Sequence, residues 1–341
     1  MITLISIGLN SHRDLSLRAI EAARAADTVY VENYTMKLDT TIAELVETIG
    51  KPIIQLRRGS LEEQAENILA EAKTKNIAIL VGGDALSATT HISLLLDAHD
   101  DSIETRVIHG SSIFTAVTDT GLSIYKFGKT VTIPLPEKGP ADTAIRTIKE
   151  NYEHGLHTLI LLDLNTEKNQ YLTIPKAINR LLDTGELSTK TLLVGAARLG
   201  SKHPLIKADT AISLARMDFG DPPYAIIAPG KLHFLEEEAL EVFAGCPRKV
   251  IQGHSPVGET EQLIDKYTRG CRRVLEELER RRLPATVTVD QIEELLKHTA
   301  NYLDDSEYYR IEKKPTALTC VAYAEGILDA LKLLGIVEFE W

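Results

Sequence analysis

Cysteine is scarce in this chain. Its 341 residues include three, Cys246, Cys271 and Cys320, and none forms a CxxC pair. An odd, widely spaced set points away from a zinc site or a disulfide framework and reads as thiols in a reducing cytosol. Long apolar runs are missing as well. Apolar stretches such as those at 158–162 and 191–194 fall far short of the roughly 20 residues a membrane-spanning helix needs. Residues 1–10 carry no basic segment and enter a strand pattern directly, so no signal peptide is expected. Positive charge is in deficit, with 38 Lys and Arg against 49 Asp and Glu and a net charge of −11. That argues against a general nucleic-acid binder, which needs a basic footprint for phosphates. No GK[ST] loop and no complete GxGxxG is present, so neither phosphate-binding signature applies.

What is present is ordinary globular composition, 44% hydrophobic and 26% charged, enough for a sizeable core. Short β-rich runs at 2–7, 28–31, 77–81 and 105–108 alternate with helical stretches at 15–26, 61–73 and 92–98. This alternation predicts a mainly parallel sheet with helices on its faces. A second α/β unit follows a break near Gly121–Gly128. Its expected strands are 129–134, 158–164, 191–196 and 224–228, and its expected helices 141–152, 174–182, 208–217 and 236–243. Pro247, Gly253, Pro256 and Gly258 read as a linker over 246–258. Beyond it the strand pattern stops. Leu263, Tyr267, Cys271, Val274 and Leu278 recur at helical spacing, as do Ile292, Leu295, Leu296, Thr299 and Leu303, and then Leu318, Val321, Leu328 and Leu331. Such stripes predict a small helical bundle, with Arg280, Arg281 and Arg282 as a solvated helix end. The expected division is 1–121, 122–245 and 256–341.

Three glycine-bearing turns each follow an expected strand: Gly8-Leu9-Asn10, Gly82-Gly83-Asp84 and His109-Gly110-Ser111-Ser112-Ile113. Ligands of open α/β sheets bind outside the carboxyl ends of strands, so the three turns are expected to line one pocket. Asp84 reads equally as a ligand for hydroxyl or ammonium groups and as the N-cap of a helix through 89–96. His109 and His91 read first as hydrogen-bonded structure. His233, in Pro229-Gly230-Lys231-Leu232-His233, follows a strand of the second unit, and a cleft between the units would gather such turns. No metal-ligand spacing is found.

These residues carry a resemblance. Gly82-Gly83-Asp84-Ala85-Leu86-Ser87-Ala88-Thr89-Thr90-His91, Val107-Ile108-His109-Gly110-Ser111-Ser112-Ile113, Ala197-Arg198-Leu199-Gly200-Ser201 and Pro229-Gly230-Lys231-Leu232-His233 are similar to the diphthine synthase family. The resemblance covers roughly residues 1–245. It implies a two-domain, tetrapyrrole-methylase-like α/β fold with S-adenosyl-L-methionine in the interdomain cleft. Its cofactor contacts would be Leu9, Asp84, Ser87, Ser112, Ile113, Leu162, Ala208 and His233. It also implies repeated methylation of the amine of a 3-amino-3-carboxypropyl-histidine on translation elongation factor 2, in a cytoplasmic homodimer. No metal is required, because the sulfonium is already a good leaving group, and no dedicated strong base, because an α-amino group has an unperturbed pKa near 8 and solvent can take its proton. The family usually has glycine where Ser6 stands, proline at Ala85, and asparagine and alanine at Gly110 and Ser111. The alternatives are a tetrapyrrole-type methyltransferase of the same fold and a non-enzymatic interaction protein. The ending, with Tyr323-Ala324-Glu325-Gly326-Ile327-Leu328-Asp329 and Glu338-Phe339-Glu340-Trp341, resembles a separate archaeal helical family of unknown function.

Overall fold

The computed structural model describes the chain except residues 33, 58–64, 255–258, 281–286 and 311–312. The chain forms two compact units, one of residues 1–151 and 155–255, the other of 152–154 and 256–341.

The first unit holds two five-stranded sheets. In the first, β1 (Ile2–Gly8), β2 (Thr28–Glu32), β3 (Ile53–Leu56), β4 (Ile77–Gly82) and β5 (Thr105–Ile108) lie in the order β3-β2-β4-β1-β5 and are all parallel. Every residue of β1 and β4 is buried, as expected where helices cover both faces of a parallel sheet. Alternate residues feed separate cores: Ile2, Leu4, Ile77 and Ile79 on one face, Ile5, Ile7, Ala78 and Leu80 on the other. The helices are α1 (Leu17–Ala25), α2 (Ile42–Ile49), α3 (Ala65–Ala72), α4 (Ile92–Asp100) and the single turn α5 (Ile113–Ala116). Sequence periodicity leaves α2 and β3 unassigned. Thr41 and Glu44 form a reciprocal capping box that starts α2. The expected helix over 61–73 is observed as α3, its first four residues lying outside the described ones.

In the second sheet, β6 (Val131–Ile133), β7 (Thr158–Leu162), β10 (Leu192–Ala197), β11 (Leu205–Thr210) and β12 (Tyr224–Ala228) run in the order β11-β10-β12-β7-β6. Here β6 and β7 are parallel and the other pairs antiparallel. The short β8 (Leu164–Asn165) and β9 (Gln170–Tyr171) form a hairpin beside it. The helix expected over 208–217 is corrected. Ala208 lies in β11 opposite Val194, because the short link from β10 leaves no room for a parallel crossover. The apolar spacing at Ala211 and Leu214 belongs to a four-residue helix, α8, which Thr210 caps. The other helices of this sheet are α6 (Asp142–Glu153), α7 (Ile174–Asp183) and α9 (Phe234–Ala244).

The expected linker over 246–258 is corrected for its described part. Pro247 and Gly253 bracket a helix, α10 (Arg248–Gln252). Cys246, Val250 and Ile251 belong to the core of the second sheet, with Val194, Ala196 and Ile227. We therefore place the end of this unit nearer residue 255 than 245. A chain ending at Gly245 should melt well below the full protein, since burying Val250 or Ile251 is worth about 1.5–3 kcal/mol each. A chain ending at His254 should retain the unit's native circular dichroism and cooperative melt.

The second unit packs α11 (Glu259–Glu277), α12 (Val289–Tyr309) and α13 (Lys314–Leu333) around Cys271, Val274, Ile292, Leu303, Ala324 and Leu328. Arg280 is not a helix end. It lies in β13 (Glu279–Arg280), paired with β14 (Val337–Glu338). Arg281 and Arg282 fall outside the described residues.

Candidate active site

Strands β4, β1 and β5 are neighbours, so the turns at their carboxyl ends meet. Gly8 and Gly83 exchange backbone hydrogen bonds of 3.1 and 2.8 Å. Gly8 has φ +104°, and a Cβ there would fall 2.5 Å from Cβ of Asp14, so only glycine suits that turn. Together the three turns form one wall of a cleft of about 270 Å³, and β7, β10 and β12 supply the other.

Six of the eight expected contacts line this cleft: Leu9, Asp84, Ser87, Ser112, Ile113 and Leu162. Ala208 and His233 do not. Ala208 is buried in the core of the second sheet. His233 caps α9, its ring accepting from the Leu235 amide at 3.4 Å and packing on Phe234. The Pro229–His233 run is instead a structural junction. The Gly230 amide donates to His157 Nδ1 at 2.8 Å, so Nε2 carries the proton given to Glu236 at 3.1 Å.

Asp84 is the hub of the first wall, and it does not cap α4, which begins at Ile92. Its Oδ1 accepts from the Leu86 amide and the Ser87 hydroxyl, both at 3.1 Å. Its Oδ2 accepts from His109 Nδ1 at 2.8 Å and the Gly110 amide at 3.2 Å. Burial alone would raise this carboxyl. The bonds from His109, Leu86 and Gly110, with the His109 charge, outweigh it and hold the group below its ordinary value. With the Ser6 hydroxyl, 3.5 Å from Oδ2, five donors surround the carboxylate and fill its lone pairs, so Asp84 acts chiefly by joining the turns to β1.

Sequence reasoning missed Thr35 and Met36, which also line the cleft. They follow β2, so the strand-end rule applied once more would have found them. Buried Glu32 accepts from the Tyr34 and Thr35 amides at 3.2 and 3.3 Å and holds that turn. Pro223 and Tyr224, after a cis Pro222–Pro223 bond, and Leu199 were missed on the far wall. Leu9 reaches that wall. Gly200 has φ +79°, and a Cβ there would fall 2.8 Å from Cβ of Leu9.

Comparison with known proteins bears on this geometry. Residues 1–213 match the tetrapyrrole (corrin/porphyrin) methylases. The chain is 44% identical over 265 residues to a diphthine synthase of Methanosarcina acetivorans, covering 74% of this chain and 99% of that one. It is 40% identical to that of Methanothermobacter thermautotrophicus, covering 74% and 98%. A crystal structure of a diphthine synthase superposes with a TM-score of 0.70 at 38% identity, over 74% of this chain and 98% of the other. The chain belongs to the diphthine synthase family. Residues 266–337 match a separate family described as protein of unknown function (DUF357).

Within a diphthine synthase, the departures at positions 6, 85 and 110 fit one another. The Ala85 amide, which a proline would lack, donates to Ser6 Oγ at 2.9 Å. A Cβ at Gly110 would fall 2.8 Å from Cβ of Ser6, so serine at 6 requires glycine at 110. Gly110→Ala should cost more than about 1 kcal/mol by overpacking. In a Ser6→Gly background the same change should cost nothing measurable. Thermal denaturation of the four proteins of this cycle checks the coupling.

Proposed function

We propose that this protein transfers three methyl groups in succession from S-adenosylmethionine to the amine of 3-amino-3-carboxypropyl-histidine on translation elongation factor 2. The observation that carries the reading is the charge of the cleft. Asp84 and Asp163 line it, and no Lys, Arg or His does among the described residues. Burial would raise Asp163 also, but the Leu135 amide and Lys138 outweigh it and keep that carboxyl low. A lining that presents two ionised carboxylates and no basic side chain favours a sulfonium over a phosphate-bearing cofactor. Leu9, Ile113, Leu162 and Leu199 give the apolar walls that an adenosine needs, and the glycine turns offer backbone donors and acceptors.

Bound there, the cofactor supplies an electrophilic methyl on a good leaving group. The chain's own contribution is placement of the two reactants, which lowers the barrier without a metal. Leu9, Asp84, Ser87, Ser112, Ile113 and Leu162 are the residues we assign to holding it. A homodimer is supported by one face of α9, where Phe234, Leu235, Val242 and Phe243 are 57–68% exposed. Light scattering that gives one protomer mass would exclude the dimer. The decisive test is mass spectrometry of elongation factor 2 bearing the precursor, incubated with this protein and S-adenosylmethionine. A gain of three methyl groups on that residue is expected. No gain, with the cofactor shown to bind, would refute the reading.

A further inference from the structure

We infer that His109 is the base that takes the proton which the substrate amine loses before each methyl transfer, and that Asp84 orients its ring. The inference rests on the methyl-transfer reading above. His109 follows β5, between the sheet and the turn that supplies Ser112 and Ile113 to the cleft. Its Nδ1 lies 2.8 Å from Asp84 Oδ2. An ionised carboxylate only accepts, so Nδ1 is the donor and, in the neutral ring, Nε2 keeps the free lone pair. The pair therefore has the orientation of a histidine base fixed by an aspartate. Asp84 is itself part of the cleft wall, and it holds the ring beside that wall on the solvent side. The other histidines of this region are committed: His157 and His91 are buried, and the Nδ1 of His233 receives an amide.

Exposure distinguishes His109 further. Its side chain is 69% exposed, whereas that of Asp84 is 8% exposed. A base that serves one amine through several rounds must discharge each proton to water before the next appears, and a half-sequestered pair does this. In each round the substrate ammonium gives a proton to Nε2. The amine lone pair then forms the N–C bond as the S–C bond breaks, its electrons passing to sulfur as a neutral thioether. The imidazolium releases its proton to solvent. Three rounds convert an ammonium into a trimethylammonium and release three protons. An α-amino group has a pKa near 8, so near pH 7 proton removal is needed at every round.

The test compares wild type with His109→Asn, whose amide can still donate to Asp84. Wild-type protein must first transfer three methyl groups to the modified elongation factor; failure there counts against the parent reading and not this one. Given that activity, His109→Asn should slow single-turnover transfer at pH 7 at least tenfold and leave mono- and dimethylated product. At pH 9, where the amine loses its proton unaided, its rate should return to within about threefold of wild type. A wild-type rate and product distribution at pH 7, or an equal loss at both pH values, would overturn the assignment. Wild-type protein gives a second measurement that folding of the variant cannot obscure. With cofactor bound, adding substrate should protect His109 from carbethoxylation, read by peptide mass spectrometry. Equal labelling with and without substrate would also overturn it.

Discussion

Asp84→Ala should lose about 3 kcal/mol of stability and bind S-adenosylmethionine about a hundredfold more weakly. The first figure follows from what the carboxylate holds. Leu86 and Gly110 amides, the Ser87 hydroxyl and the His109 ring all donate to it, and removing a charged acceptor strands these partly buried donors at a combined cost of about 1–3 kcal/mol or more. The second figure follows because Ser87, Ser112 and Ile113 belong to the two turns that Asp84 joins, and a factor of one hundred corresponds to about 2.7 kcal/mol. Asp84→Asn should fall between, since an amide oxygen can serve only one pair of donors while its NH2 opposes the other. Calorimetric titration and thermal denaturation of both variants check this. Affinity lost with stability unchanged would mean that Asp84 contacts the cofactor directly and does not organise the turns. The pH dependence has a defined sign. The folded carboxyl titrates below its ordinary value. Its contribution is therefore complete above that ordinary value and disappears only as pH falls through the lower one.

The first wall of this cleft was readable because β1 and β4 are short apolar runs ending in glycine and β5 is a short run followed by His109-Gly110, where period and punctuation agree. Strand order was not readable, yet order is what makes the three turns adjacent. The far wall was less legible. Leu162 ends a clear strand, but Leu199 and Pro223 sit in turns whose backbone is set by long-range partners. The Arg198 guanidinium holds the Phe219 carbonyl at 2.7 Å, a contact 21 residues away that no local pattern encodes. Ala208 was misplaced for a different reason. Six mostly half-buried residues along an edge strand, followed at once by Ala211 and Leu214, give a helical period that begins too early. Residues 246–254 were misread because Pro247 and Gly253 were taken as loop punctuation. They are a helix's two ends, and the apolar pair Val250–Ile251 between them was the stronger signal.

The second large effect is expected at Glu236, outside the cleft. Its side chain is only 5% exposed. Its Oε1 accepts from the Ser123 amide at 2.9 Å and from His157 at 3.1 Å. Its Oε2 accepts from Lys126 and from the His233 amide at 2.8 Å. These donors come from the segment that joins the two sheets, from the entry to β7 and from the start of α9, so one carboxylate fastens three pieces of chain. Burial would raise it, but the bonds from Lys126, His233, Ser123 and His157 bring it down to about 2 from 4.5. A depressed carboxyl stabilises the fold above its unfolded value and ceases to do so as pH falls through the folded one. The window is thus pH 4.5 to about 2, and the contribution roughly 3–4 kcal/mol, since each unit is worth about 1.4 kcal/mol. Glu236→Ala leaves Lys126 without its buried counter-ion and the His157 Nε2–H without its acceptor, and should cost about 3–5 kcal/mol. Glu236→Gln keeps the Ser123 and His157 bonds but turns an NH2 toward Lys126 and the His233 amide, so it should lose most of the acid-dependent part. Urea denaturation at stepped pH separates these outcomes. Wild type should weaken steeply between pH 4.5 and 2, and Glu236→Gln should start lower at pH 7 and change less over that window. Parallel curves for the two proteins would show that other carboxylates control the acid limit and that this junction is held by packing of α9.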